Sequence, residues 1–219
     1  MLAAALVALM PAASQALTLT NPGFETGDLT GWDTSGDVTT FTCAGAVIGC
    51  APAGGTYFAL LNNSTDGVGN ASLRQTVSSV DAGTYKFGAW VSFGTDNAAG
   101  NFDQGQISLT VQIGGGPSIA VGFDPNALNG QFTIPGGGGF SFTPWFLLQG
   151  TLAFAGPAAD ILLNINVQDY SNGGLILAAD NAFINAVPLP AALPLFASGI
   201  GAMGLLGWRR KKKAAALAA

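Results

Sequence analysis

The residues able to do chemistry are few, and the missing types say as much as those present. The chain has no histidine, so neither a Ser-His-Asp nor a Cys-His arrangement can be assembled. Its single glutamate, Glu25, has no partner marked by sequence, and many of the aspartates sit in Gly- and Asn-rich turns. No pair of carboxylates is marked out for general acid–base work or for hydrolysis of a glycosidic bond. The reading is of a chain that is not an enzyme. Cys43 and Cys50, separated by Ala-Gly-Ala-Val-Ile-Gly, are the only cysteines. In an oxidising compartment they close a short disulfide loop, and without histidine they cannot build a zinc site. What remains is aromatic chemistry. The flat apolar face of a sugar ring matches the face of Trp or Tyr. Trp90 shares the more polar face of its segment with Lys86, Gly88 and Ser92, which makes it the first choice for a sugar platform, with Tyr57 and Trp145 next. Trp32, beside the Gly31 turn, is expected to plug the core.

Charge narrows the partners. The chain carries 7 Lys+Arg and 12 Asp+Glu, but five of the cations form the run Arg209, Arg210, Lys211, Lys212, Lys213. Residues 17–188 keep only Arg74 and Lys86 against all the carboxylates, a balance of about −10. Nucleic acid is excluded as a partner, because phosphate binding needs cations. The balance is compatible with calcium, which takes carboxylate and carbonyl oxygens; the plainer reading is that these aspartates are solvated turn residues.

The elements that must position these groups are strands. From residue 17 to 187 short branched and aromatic runs alternate with Gly, Asn, Asp and Pro punctuation, and no helical period appears. Strands are expected over Leu17–Thr20, Asp37–Thr42, Tyr57–Asn62, Ser72–Val77, Thr84–Phe93, Ile107–Ile113, Ile119–Phe123, Gln131–Ile134, Trp145–Phe154, Ile161–Gln168 and Leu175–Asn185. In the longest, Tyr85, Phe87, Ala89, Val91 and Phe93 share one face. This spacing predicts an all-β domain, a jelly-roll β-sandwich over residues 17–186, with looser loops at Asp96–Gly105 and Pro135–Gly139.

Both ends read as addresses. Met1–Ala16 has an apolar stretch and a small-x-small site at Ser14-Gln15-Ala16, the pattern of a signal peptide, although the usual positive start is absent. Ala191–Trp208 is an uncharged apolar stretch of about 27 Å if helical, against a bilayer core of roughly 30 Å. The cations of 209–213 would then hold its end on the cytoplasmic side, leaving the domain outside the inner membrane.

Val187, Pro188, Leu189, Pro190 and Ala191, the apolar stretch to 208 and the basic run to 213 together resemble the VPLPA variant of the PEP-CTERM sorting signal. That resemblance implies recognition by an exosortase, processing near the Pro-rich motif, and delivery to the surface or extracellular matrix of a Gram-negative bacterium, in the setting of exopolysaccharide and biofilm. Within the domain, Asn21–Glu25 with Gly31-Trp32, Leu73–Val77, Ala82–Trp90, Trp145 with Gly150–Phe154, and Asp180–Ile184 resemble galactose-binding-like jelly rolls, including carbohydrate-binding modules. This second resemblance implies a structural calcium ion held where an acid of the first turn, Glu25, meets one of the last strand, Asp180, since two adjacent carboxylates repel unless a cation joins them. The leading functional expectation is a non-catalytic surface or matrix protein associated with exopolysaccharide. The alternative is a carbohydrate-binding lectin with a defined sugar site.

Overall fold

The computed structural model describes residues 16–46, 48–62, 69–95, 105–116, 118–125, 141–170 and 174–187. Residues 1–15 of the expected signal peptide, the strand expected at Gln131–Ile134, most of the loop expected at Asp96–Gly105, the loop expected at Pro135–Gly139 and the chain from Pro188 onward lie outside them. Among the described residues no helix is long and apolar enough to cross a membrane.

Alternation of apolar and polar residues gives each strand one face for a core, and the strands pair antiparallel to use it. In chain order they are β1 (Ala16–Leu17), β2 (Asp33–Ser35), β3 (Val38–Thr42), β4 (Tyr57–Leu61), β5 (Asn70–Val80), β6 (Gly83–Thr95), β7 (Gly105–Ile113), β8 (Ser118–Phe123), β9 (Ser141–Phe142), β10 (Phe146–Phe154), β11 (Ala159–Asp169) and β12 (Ile176–Ala186). One sheet runs β10-β6-β12-β4-β3, with β1 added on β12 and β9 on β6; the other runs β2-β5-β11-β7-β8. Their inner faces close on a single core that draws on Phe87, Val91 and Phe93 from β6, Leu73 from β5, Ile107 and Leu109 from β7, and Leu163 and Ile165 from β11. Phe93, Phe123 and Phe146 meet in it, with ring centroids 5.2–6.0 Å apart. Ala16–Ala186 forms one compact unit.

The long strands fall where alternation puts them. Two short ones do not announce themselves: Asp33–Ser35 pairs with β5 inside a stretch that reads as loop, and Ser141–Phe142 pairs with the end of β6. At the start the extended segment stops at Leu17, because Thr20 turns aside to bind Gln75. Its N–H donates to Gln75 Oε1 at 2.6 Å, and Gln75 Nε2 donates back to Thr20 O at 2.9 Å. Trp32 does plug the core. It is 7 % exposed, lies 5.6 Å from Phe24, and donates from Nε1 to Asn21 O at 3.0 Å.

Candidate functional site

The outward face of the five-stranded sheet is set by register. With Ile161, Leu163, Ile165 and Val167 of β11 committed to the core, Asn164, Asn166 and Gln168 must point away from it. Cross-strand pairing then lines up transverse rows. One is Ser35, Ser72, Asn166, Ser108 and Gly122; the next is Asp33, Arg74, Asn164, Thr110 and Ala120. Asn70, Gln168 and Gln106 form a further row at one end, and Tyr170 stands beside it, 53 % exposed, with its hydroxyl donating to Gln168 Oε1 at 2.7 Å.

A surface held only for solubility alternates charges along its edges, whereas these central rows are amides and hydroxyls with a single cation, Arg74, opposite Asp33. Amides offer both donors and acceptors, and hydroxyls do the same. The inventory is not closed internally. Asn164 Nδ2 donates to Thr110 Oγ1 at 3.3 Å, yet Asn164 Oδ1 and the neighbouring Ser72 Oγ are buried with no hydrogen-bond partner. A buried polar atom left unsatisfied costs about 1–3 kcal/mol and calls for an explanation. Both atoms are closed to solvent, so a hydroxyl-rich ligand would reach them only if their side chains turn outward. This face is not marked by aromatic platforms in the sequence, although the second half of β11 carries a signal: its alternate residues Asn164, Asn166 and Gln168 are amides rather than ions.

The three aromatic residues expected to bind sugar are not brought together. Trp90 points outward from β6, half-buried, in register between Leu147 and Asp180. Trp145 lies on the same outer side, edge-on to Phe58 at 5.7 Å. It is placed by Thr143, whose carbonyl accepts from Ser92 Oγ at 2.6 Å. Tyr57 faces inward, packs on the main core and covers Gly27, where a Cβ would lie 3.2 Å from its Cζ. Cys43 and Cys50 form the disulfide; Cys43, with Ala46 and Ile48 of the loop it closes, joins Phe58, Leu60, Ile176 and Ala178 in a second cluster.

Glu25 and Asp180 do approach one another, and the topology explains why. β1 and β4 occupy the same edge of β12, β1 at Ile184–Asn185 and β4 at Leu177–Ala179. Between them β12 bulges, with Asn181 at φ 48, a left-handed conformation that Asn tolerates. The first turn enters this gap: Ala182 N–H donates to Pro22 O at 2.9 Å. Asp180 is buried there. Burial pushes its carboxyl up to about 7; the Asn181 N–H, 2.7 Å away, pulls it down, and the charge of Glu25 pushes it up again. Neither Arg74 nor Lys86 enters that balance. The Glu25 carboxylate accepts from Thr56 N–H at 2.9 and 3.0 Å and from Tyr57 N–H at 3.2 Å, so it also anchors the loop before β4.

Oxygen donors crowd this point, and glycines leave room for them. A Cβ on Gly55 (φ 122) would run into the Glu25 carboxylate, and one on Gly23 would lie 3.2 Å from Asn181 Oδ1 and 3.5 Å from Asp180 Oδ1. Two carboxylates, an amide oxygen and carbonyls such as Gly54 O are the hard donors calcium takes. Among the described residues no three Asp, Glu, His or Cys converge, so amide, carbonyl and water oxygens would have to complete the shell.

Residues 17–138 match the family model described as Carbohydrate binding domain. No curated protein sequence matches the chain. Among solved structures, the chain is similar to TmCBM61 in complex with β-1,4-galactotriose, at 20 % identity and a TM-score of 0.52, over 80 % of this chain and 100 % of that one. A cyclase from Fischerella sp. TAU shares 15 % identity with a TM-score of 0.53, over 82 % of this chain and 100 % of its own. At such identities the likeness is one of fold, and a fold shared by a sugar-bound module and a cyclase leaves activity to be argued from the site.

Proposed function

We propose that this chain, which belongs to the carbohydrate binding domain family, binds a neutral polysaccharide along the outer face of its five-stranded sheet. The observation that carries the reading is the run of outward amides and hydroxyls that register gathers on β5, β11 and β7, among them Asn164, Asn166, Ser108 and Thr110. Arg74 would donate to ring or hydroxyl oxygens, Asn164 and Asn166 would bridge adjacent hydroxyls, and Tyr170 would close one end by stacking. Neutrality follows from charge: a domain near −10 repels a polyanion, and one arginine does not reverse that.

Calcium at Glu25 and Asp180 would serve the fold rather than the sugar, joining the first turn to the last strand. The disulfide and the family both fit an extracellular setting. The resemblance at 187–213 supports a finer reading, in which export and exosortase processing deliver the domain to a surface or matrix where exopolysaccharide is its partner.

Calorimetry with galactotriose, xylohexaose and the host's exopolysaccharide tests the proposal. Saturable binding is expected, weakened about tenfold (~1.4 kcal/mol) by Asn164→Ala or Arg74→Ala. Absence of saturable binding across the panel, or binding indifferent to both substitutions, overturns it.

A further inference from the structure

We infer a second glycan platform on the opposite side of the sandwich, centred on Trp90 and Phe183, so that one domain bridges two polysaccharide chains. The inference rests on the carbohydrate-binding reading above and adds a site to it. On the outer face of the seven-stranded sheet, pairing lines up three rows: Thr151, Lys86 and Asn185; Gln149, Gly88 and Phe183; Leu147, Trp90 and Asp180. The Phe183 ring rests on Gly88, where a Cβ would lie 2.5 Å from its Cζ. Glycine at this position is therefore what lets the ring lie down across β6. Trp90 stands two residues further along the same strand and the same face. Both rings are half-buried, while Lys86, Gln149, Thr151 and Asn185 around them are exposed.

The combination is an apolar floor with a rim of donors and acceptors. A pyranose presents its C–H face to such a floor and its hydroxyls to such a rim. Lys86 is the cation of these rows, exposed Glu25 lies beside Asp180 at their end, and the domain as a whole is strongly acidic, so the occupant with matching charge is again a neutral glycan.

The two platforms lie on the outward faces of sheets packed about 10 Å apart, and a single chain segment cannot reach both. Each protein therefore links two chains, and linkage multiplies avidity without new contacts.

The test mixes the purified protein with a soluble neutral β-1,4-galactan and, in parallel, with galactotriose. Light scattering should rise with protein added to the polymer, and calorimetry with the trisaccharide should resolve two classes of site. Trp90→Ala and Phe183→Ala should abolish the scattering and weaken one class at least tenfold, with the class sensitive to Asn164→Ala unchanged. Lys86→Ala and Gln149→Ala, at exposed positions clear of the core, should weaken the same class if the ring variants fold poorly. A single class of site, eliminated by Asn164→Ala with Arg74→Ala and indifferent to all four sheet-face variants, overturns the second platform and leaves the first standing. No binding by the unaltered protein overturns both.

Discussion

Asp180→Asn isolates what the junction of first turn and last strand does. The carboxyl of Asp180 is raised from 3.8 to about 7, chiefly by burial. In the metal-free protein the unfolded chain ionises this group from about pH 4 upward while the folded chain holds its proton. Stability is therefore fullest below about pH 4, falls as pH rises to about 7, and stays low above it. Three units correspond to roughly 4 kcal/mol. Asp180 is 1 % exposed, but exposed Glu25 beside it shows that water is near and relaxes part of the penalty, so about 2 kcal/mol is expected. For a domain of this size that is about 4–8 °C in Tm.

Asparagine keeps the shape and the oxygen that accepts from Asn181 N–H, and removes the charge. Thermal unfolding would be followed from about pH 4 to pH 8, with chelator or with millimolar calcium. With chelator at pH 8 the variant should melt above the wild type, and its pH slope across the window should flatten. With calcium at about a hundred times its Kd the wild type should gain about 2.7 kcal/mol, and the variant little. A variant that melts below the wild type in chelator at pH 8, or that gains as much from calcium, refutes the reasoning. Asp180 would then be a structural hydrogen-bond acceptor and no ligand.

Three further outcomes follow from geometry. Replacing both Cys43 and Cys50 with serine should lower stability by about 2.5 kcal/mol in urea unfolding, the entropy of a loop this short, and a loss near zero would mean the loop is ordered without its bridge. Gly36→Ala should cost about 2–3 kcal/mol in the same assay, because Gly36 sits at φ 75 with its missing Cβ directed into Asn70 O; a neutral result would show that β5 can give way. Phe24→Ala should cost about 3–5 kcal/mol, since Phe24 is fully buried against Trp32, and a loss under about 1 kcal/mol would place the first turn outside the cooperative core.

The strands were legible because burial on one face writes a period of two into the chain: Tyr85, Phe87, Ala89, Val91 and Phe93 all reach the core as that period requires. The meeting of Glu25 with Asp180 was legible for a different reason, since a resemblance placed it and the shared edge of β12 produces it. The amide face was not. Ser72, Arg74, Thr110 and Asn164 lie on three strands far apart in sequence, and only the register of β5, β11 and β7 makes them neighbours. Tyr57 was misleading because exposure at a strand start and burial over a glycine look alike in sequence. Nothing in the residues around Gly27 announces that Tyr57 will cover it.

The partnerless oxygens also bear on selectivity. A face whose polar atoms were all satisfied internally would gain little from a hydroxyl and would lose little without one. Where Asn164 Oδ1 and Ser72 Oγ stay unpaired, the folded chain already bears their desolvation, and a sugar hydroxyl relieves it once those side chains turn outward to meet it. Discrimination then comes from the hydroxyls that are missing rather than from those present: an epimer or a deoxy sugar leaves the same two atoms buried and unmet, and sites built this way reject such analogues far more strongly than apolar pockets do. An acidic domain with one arginine on its amide face has little Coulombic attraction to offer. For it, unsatisfied neutral dipoles are the available means of choosing one neutral glycan over another.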